Sequence, residues 1–413
     1  MFSLLNKDSY WSSVGTVITG TLGAQLIFLM LLPLVTYLYE PTEYGYYTTL
    51  LGYAIILSSF IGIGLERAIP LIERKIRYSY TFTLLLYSFI FCFLIAGVSI
   101  FINYFLDLIS FFDVIIIVAL AFLLFTLNSL SFYNISVDRF NLDAESKFLQ
   151  AVILNVGQIL IFFASSSKLS LILADFISKV YIVFRVNKKL YHYKALNMKL
   201  MTWKRFTSKN RRLKSFFTYG LISSLLVSLS MNLPYVLIPI NYDYKIAALV
   251  YLAMKIASIP TALIGSAIGK VFFAKASQLT ENKMILQLFI DNLKKLSIIA
   301  ILLIPIFLLS SYLLPNVLGD SWEDITLIIN ALIFLSISQL VANPLSLVAT
   351  VYKMQSIDVI INLIRVFFVF SVFFGYSSFN KNYIETFYVY SVGMCIIYIC
   401  NIFTSYYIIK SNS

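Results

Sequence analysis

The sequence predicts an all-α integral membrane protein with about 12 transmembrane helices, arranged as two parallel six-helix bundles around a central cavity. Three observations support this fold class. Of the 413 residues, 60% are hydrophobic and only 12% are charged, and the mean hydropathy is +0.88. Apolar runs of about 17–25 residues, long enough to cross a bilayer, recur along the whole chain. A strongly basic segment lies near the midpoint, with about six such runs on either side.

The apolar runs place the spans in order along the chain. The N-terminal stretch MFSLLNKDSYWSSVG shows no basic region followed by a small-residue cleavage site, so we expect the first apolar run to remain as a span. The fifth and sixth spans are separated only by ASSSKLS. The predicted spans cover residues 14–38, 44–65, 80–103, 111–136, 148–166, 169–187, 215–240, 245–270, 292–314, 323–350, 356–376 and 383–408.

The basic midpoint divides the chain into a bundle at 1–190, a cytoplasmic linker at 191–214 and a second bundle at 215–413. From Arg185 to Lys214 the chain carries eleven Lys and Arg and no acid. Such a patch is compatible with nucleic-acid binding, but a cytoplasmic loop held against anionic lipid headgroups, at about 1 kcal/mol per charge, explains it better. We therefore expect membrane lipids, and no nucleic acid, as partners.

The distribution of Lys and Arg predicts the orientation. If the N-terminus is inside, 25 of the 31 basic residues fall in cytoplasmic segments. Positive charge is concentrated on the cytoplasmic side of plasma-membrane proteins. Both termini are therefore expected in the cytoplasm.

Residues typical of cofactor and metal sites are scarce. Cys92, Cys395 and Cys400 lie within apolar runs without metal-ligand spacing, and His192 lies in the basic loop. The segment GSAIGK has too few residues between its glycines, and no following Ser or Thr, for a phosphate-binding loop. We expect no cofactor, no metal and no enzymatic activity.

Three basic residues stand out against the apolar runs. Lys255, in YLAMKIASIP, lies near the middle of the eighth span, where an ionised side chain costs about 2.5–3.5 kcal/mol. An ammonium at that depth stays ionised only beside water or an anion, which favours a wet cavity and a negatively charged substrate. Arg365 lies one to two turns from the cytoplasmic end of the eleventh span, where snorkelling is an alternative. Arg67 closes the second span at its cytoplasmic end.

Polar residues add two further candidates. Asp175 and Lys179 lie four apart in the sixth span, acid first, which favours an intrahelical pair that neutralises itself. The tenth span carries a polar stripe with helical spacing, which is either a helix-packing interface or a cavity wall. The stripe comprises Ser336, Gln339, Asn343, Ser346 and Thr350.

Three stretches in order resemble bacterial polysaccharide flippases of the multidrug/oligosaccharidyl-lipid/polysaccharide exporter superfamily. PLVTYLYEPTEYGYYTTLLGY resembles the family's segment after the first span. YLAMKIASIPTALIGSAIGKVFFAKASQL resembles the eighth-span signature shared with lipid II flippases, where a basic residue precedes a proline. LGDSWEDITLIINALIFLSISQLVANPLSLVATVYKMQSIDVIINLIRVF resembles the tenth and eleventh spans. Pro260 follows Lys255 closely, so we also expect the eighth span to bend there.

The resemblance implies translocation of an undecaprenyl-diphosphate-linked oligosaccharide, such as an O-antigen repeat unit, from the cytoplasmic to the periplasmic leaflet of a bacterial inner membrane. It gives Lys255 an anion-binding role, extends that role to Arg365 and Arg67, and allows Gln339 and Asn343 as further substrate contacts. It also implies H⁺ or Na⁺ as a coupling ion, and a polysaccharide polymerase and a chain-length regulator as partners. Drug exporters of the superfamily carry an acid in the first span that is absent here, so Asp175, the only acid deep in a span, is the candidate for ion coupling. The alternatives are a small-molecule or drug exporter of the same superfamily and a membrane-embedded polysaccharide polymerase or ligase. The cationic interior disfavours the exporter, and the absence of a long outside loop disfavours the enzyme.

Overall fold

A computed structural model describes residues 7–62, 64–106, 110–164, 168–191, 206, 214–279, 281–352 and 354–411. These residues form helices joined by short connections, and none of them lies in a β-strand. The predicted all-α membrane fold is confirmed. The basic linker predicted at 191–214 falls, apart from Tyr191, Phe206 and Lys214, outside the described residues.

Thirteen helices of ten residues or more account for most of the part of the chain that the structure describes. The first six are α1 (Lys7–Leu38), α2 (Pro41–Gly62), α3 (Arg77–Leu106), α4 (Phe111–Ser136), α5 (Phe140–Ala164) and α6 (Lys168–Tyr191). The others are α7 (Lys214–Asn241), α8 (Tyr244–Ala257), α9 (Ser266–Ala276), α10 (Asn282–Leu318), α11 (Ile325–Leu345), α12 (Gln355–Phe370) and α13 (Tyr383–Ser411).

Short helical turns extend or join these helices. Two are 3₁₀ turns, Leu65–Leu71 and Asp320–Trp322, and two are π turns, Thr261–Gly265 and Ser371–Tyr376. One-turn α-helices cover Val348–Val351 and Ser377–Phe379.

Within the described ranges, eight helical segments are long and apolar enough to cross a membrane, and ten are if each of two bent helix pairs counts as one span. The two pairs are α2 with the 3₁₀ turn Leu65–Leu71, and α8 with the helix Thr261–Phe273. The predicted sixth span falls on α6, whose middle carries Asp175, Lys179 and Arg185. The predicted seventh span falls on α7, whose apolar part runs from Leu225 to Asn241. Every predicted span therefore overlaps helical structure, and the eighth, tenth and eleventh each cover more than one helical segment.

The helices form two compact units. One comprises Met1–Leu38 and Thr49–Ser228, and the other comprises Tyr39–Thr48 and Leu229–Ser413. In the first unit α5 packs against α1 and α6. Close packing with α1 needs glycine, since a Cβ on Gly20 would lie 2.6 Å from the Cα of Ala144 on α5.

Arg77 at the start of α3 holds the connection after α2 in place. Its Nε and Nη2 donate to the carbonyl of Ile72 at 3.1 and 2.9 Å, and Nη2 also donates to the carbonyl of Pro70 at 3.0 Å. Its Nη1 donates to the carbonyl of Ser136 at the end of α4. The guanidinium of Arg77 thus donates to three carbonyl groups at the ends of helical segments, where the helix itself supplies no N–H donor.

The second unit is built around α11, which packs against α8, α10 and α13. Its preceding turn buries Trp322 completely, and its C-terminal half joins an apolar core shared with α9 and α10. That core includes Phe272, Phe289 and Leu345. Because α11 is buried on several sides, its few polar residues face protein rather than lipid.

The first turns of α2 belong to the second unit, although the rest of the helix belongs to the first. Tyr44 is buried there, with its ring edge-on to Trp322 at 5.7 Å and to Tyr251 at 6.1 Å between centroids. A Cβ on Gly45 would lie 1.7 Å from the carbonyl oxygen of Tyr244. The helix backbone therefore approaches the start of α8 at a distance that only glycine permits.

Candidate anion-binding site

A cavity of about 170 Å³ lies within the second unit. Helices α7, α8 and α11 supply its walls, and its lining is mainly apolar with a few polar groups. The lining residues are Met231, Asn232, Tyr235, Met254, Lys255, Ala257, Ser258, Leu332, Leu335, Ser336 and Gln339. Apolar cavities with a few placed polar groups are typical ligand sites.

Lys255 enters this cavity because α8 ends just after it. Asp243 caps the start of α8 by accepting a hydrogen bond from the Ile246 N–H at 2.8 Å. At the other end, the Ser258 hydroxyl donates to the carbonyl of Lys255 at 2.8 Å. The following helix, Thr261–Phe273, is bent by 42° from α8, so the bend predicted from Pro260 is confirmed.

The Lys255 side chain is half-buried and lies against an aromatic wall. Its Nζ is 5.7 Å from the centroid of the Tyr251 ring, a cation–π distance. Tyr251 is in turn edge-on to Tyr235, with the ring centroids 5.2 Å apart. The Tyr251 ring therefore stabilises the ammonium of Lys255. The same lysine is part of the cavity wall.

Gln339 lies across the same cavity on α11. Its side chain is buried, and its Nε2 lies 3.8 Å from the Sδ of Met231, a weak hydrogen bond. Ser336 lies one turn earlier on the same face and also lines the cavity. Of the predicted substrate contacts, the structure therefore brings Lys255 and Gln339 together.

The rest of the polar stripe does not reach the cavity. Asn343 is half-buried, and its carbonyl accepts from the Ser346 hydroxyl at 2.9 Å. Helix α11 contains Pro344 and ends at Leu345, so Ser346 and Thr350 lie beyond it. Of the five residues in the predicted stripe, only Ser336 and Gln339 line the cavity. A substrate contact for Asn343 stays a prediction.

Arg365 is buried inside the second unit. Only 5% of the residue is exposed, its Nη1 donates to Asn362 Oδ1 at 3.1 Å, and its Cζ lies 4.2 Å from the centroid of the Tyr398 ring. It is not among the residues that line the cavity. Its predicted role in substrate binding stays a prediction.

The predicted residues of the first unit are Arg67 and Asp175. Arg67 is exposed on the 3₁₀ turn Leu65–Leu71, which Gly64 precedes with φ 69°. Asp175 is buried on α6, and its Oδ1 accepts from Lys179 Nζ, so the predicted intrahelical pair is confirmed. Asp175 Oδ2 has no hydrogen-bond partner among the described residues. Ion coupling through this carboxylate stays a prediction.

Sequence reasoning missed four tyrosines that lie near the basic residues: Tyr235, Tyr251, Tyr390 and Tyr398. Helical spacing provided a signal for two of them: Tyr251 precedes Lys255 by four residues, and Tyr235 follows the polar Asn232 by three. Tyr390 and Tyr398 come from another helix, α13, and carried no such signal. In the parts of the chain that the structure describes, no group of three or more His, Cys, Asp or Glu is placed to hold a metal ion.

The fold is similar to that of solved transporters. A transporter of the MOP superfamily from Pyrococcus furiosus, reported with a binding pocket of reversed polarity, matches with a TM-score of 0.62 and 14% identity, over 97% of this chain and 94% of that chain. A MATE protein in the straight conformation matches with a TM-score of 0.60 and 14% identity, over 97% and 95% of the two chains. A MATE transporter of Vibrio cholerae matches with a TM-score of 0.59 and 14% identity, over 98% and 96%. At these identities the similarity shows the fold.

Sequence comparison identifies the family. No protein in the curated set matches the chain significantly. The family model described as "Polysaccharide biosynthesis protein" matches residues 34–327, well over half of the chain, including α8 with Lys255. The chain therefore belongs to this family of polysaccharide biosynthesis proteins.

Proposed function

We propose that the protein is a flippase that moves an undecaprenyl-diphosphate-linked oligosaccharide, an O-antigen repeat unit, from the cytoplasmic to the periplasmic leaflet of a bacterial inner membrane. The proposal rests mainly on the position of Lys255 in the cavity wall. This residue is a half-buried lysine that lines a cavity together with Gln339 and Ser336, in a member of a polysaccharide biosynthesis family with a transporter fold.

The chemistry of the cavity suits the head of such a lipid. A diphosphate presents several anionic oxygens, and an ammonium binds phosphate as a point charge. The amide of Gln339 and the hydroxyl of Ser336 supply further hydrogen bonds for phosphate or sugar oxygens. Broad apolar helix faces with large exposed side chains, for example Phe367 and Phe403, are available to acyl and prenyl chains.

The orientation and the coupling ion form part of the proposal. Both termini face the cytoplasm, as the Lys and Arg distribution indicates. Transport proceeds by alternating access and uses a proton or sodium gradient, with Asp175 as the coupling acid. Arg67, Arg365 and Asn343 remain candidate substrate contacts, and a polymerase and a chain-length regulator remain candidate partners.

The main rival is a drug exporter, since several solved structures of this fold are MATE transporters. The cavity around Lys255 favours an anionic ligand instead, because its charged residue is a cation. A polymerase or ligase is the rival from another class.

Deletion of the gene in its host tests the proposal. We expect a lipid-linked glycan to accumulate on the cytoplasmic face, and complementation with Lys255→Arg, but not with Lys255→Ala, to restore surface polysaccharide. Loss of drug resistance with normal surface polysaccharide would favour the exporter. Accumulation of single repeat units on the periplasmic face would favour a polymerase.

A further inference from the structure

Helices α12 and α13 enclose a second polar cluster in the same unit, separate from the residues that line the cavity. It contains Arg365 and Asn362 of α12 and Tyr390 and Tyr398 of α13. All four side chains are buried, and both tyrosines have no exposed surface. Tyr398 lies beside Gln339, which lines the cavity. The cluster is therefore adjacent to the candidate substrate site, although Arg365 does not line the cavity.

Several hydrogen-bond donors in this cluster have no acceptor. Arg365 uses Nη1 for Asn362, but its Nε and Nη2 have no hydrogen-bond partner among the described residues. The hydroxyl group of Tyr390 likewise lacks one in this part of the chain, and the Tyr398 hydroxyl lies beside the Gln339 side chain. Buried polar groups are normally hydrogen-bonded, and a group of unsatisfied donors indicates a bound ion or solvent molecule.

The positive charge of Arg365 favours a bound anion over a solvent molecule. A guanidinium remains protonated, and a buried cation requires a counter-charge. No ion pair recorded between described residues includes Arg365. The acid on its own helix, Asp358, lies two turns earlier and attracts Arg365 electrostatically, but it forms no recorded ion pair or hydrogen bond with the guanidinium. The ring of Tyr398 offers a cation–π contact, which leaves the in-plane Nε–H and Nη2–H groups unsatisfied.

We propose that this cluster binds a small inorganic anion, which in the cell is chloride. The N–H groups of Arg365 and the hydroxyl groups of Tyr390 and Tyr398 donate hydrogen bonds to it. All the unsatisfied atoms are buried, so the site suits a monatomic ion better than a lipid phosphate. The anion neutralises Arg365 without occupying the cavity that Lys255 lines.

Thermal unfolding of the purified full-length protein in detergent tests this site. The melting temperature is measured in sodium chloride, sodium bromide, sodium phosphate and sodium gluconate at equal ionic strength. We expect chloride and bromide to raise it by about 2–4 °C over gluconate, as for a ligand that binds only the folded state. Arg365→Met should abolish the halide effect. Tyr390→Phe, which removes only one hydroxyl, should raise the half-maximal halide concentration several-fold.

Lys255→Met serves as the matched control, because it removes a cation from the neighbouring cavity and should leave the halide effect intact. The proposal is overturned if halides do not stabilise the wild-type protein, if the effect survives Arg365→Met, or if Lys255→Met removes it. It is also overturned if phosphate stabilises through Arg365 and halides do not. If Arg365→Met does not fold, an unchanged halide response in Tyr390→Phe and Tyr398→Phe rejects the site. None of these measurements involves the lipid substrate, so this inference and the proposed function fail separately.

Discussion

The ammonium of Lys255 lies 5.7 Å from the centre of the Tyr251 ring, one turn earlier on α8. Tyr251 is itself supported by Tyr235 and Tyr44, both edge-on to it. The cation is therefore positioned by aromatic residues at the wall of a cavity. This arrangement places a lysine at the wall of a cavity within a membrane protein.

Replacing Tyr251 should weaken the function of Lys255. Tyr251→Leu removes the ring, and we expect a loss of affinity for a diphosphate head group of about 0.5–2 kcal/mol, or about 2- to 30-fold. Tyr251→Phe keeps the ring and should remain close to wild type. Titration of the purified protein with undecaprenyl diphosphate measures both. Equal losses in the two variants would assign the role to the hydroxyl, contrary to the cation–π account.

The Asp175–Lys179 pair should behave as a coupled unit in stability. Both residues are buried, at 1% and 3% exposure, so removing either leaves an uncompensated charge at a cost of about 3–5 kcal/mol. Asp175→Asn and Lys179→Met should each lower the free energy of unfolding in detergent, and the double variant should recover much of the loss. A double variant less stable than either single variant would contradict a paired role.

Ion coupling through Asp175 gives a separate prediction. If Asp175 carries the coupling ion, Asp175→Asn abolishes gradient-driven flipping in proteoliposomes even when the protein is folded. The Asp175→Asn/Lys179→Met double variant, with the buried charge removed, should also fail to respond to the gradient. Normal gradient-driven flipping by Asp175→Asn would remove this residue from the mechanism.

Gly45 should be the glycine most sensitive to substitution in α2. Gly45→Ala places a Cβ 1.7 Å from the Tyr244 carbonyl oxygen, so the start of α2 must move away from α8. We expect a clear fall in melting temperature. Gly97→Ala in α3 is the matched control, since nothing lies within 4 Å of its Cβ, and alanine is favoured over glycine in a helix by about 1 kcal/mol. Equal melting temperatures for both variants would show that the start of α2 does not depend on this contact.

Hydropathy predicted the number and order of the spans but not the helix ends. Helix α5 begins at Phe140 although the apolar run begins near 148, and α10 begins at Asn282 although its run begins near 292. The first turns of both helices are polar, with Asp143 and Lys283 as examples. The length of an apolar run indicates how many residues can lie in the hydrocarbon core of the bilayer. The helix itself can extend beyond that core, because its backbone hydrogen bonds continue through polar residues.

The candidate site was predictable where a local signal existed. An isolated lysine beside a proline indicated both the cation and the bend, and both are features of α8. The surroundings of Arg365 were not predictable, because Tyr390 and Tyr398 come from a helix more than twenty residues later in the chain. The stripe was predicted for one helix through Thr350, but α11 ends at Leu345, so Ser346 and Thr350 lie beyond it.

The most direct test of the central claim is equilibrium binding of undecaprenyl diphosphate, with the uncharged undecaprenol as the reference ligand, to wild type, Lys255→Arg and Lys255→Ala in nanodiscs. The account predicts that wild type and Lys255→Arg prefer the diphosphate strongly and that Lys255→Ala binds both lipids alike. An undiminished preference for the diphosphate in Lys255→Ala would contradict it.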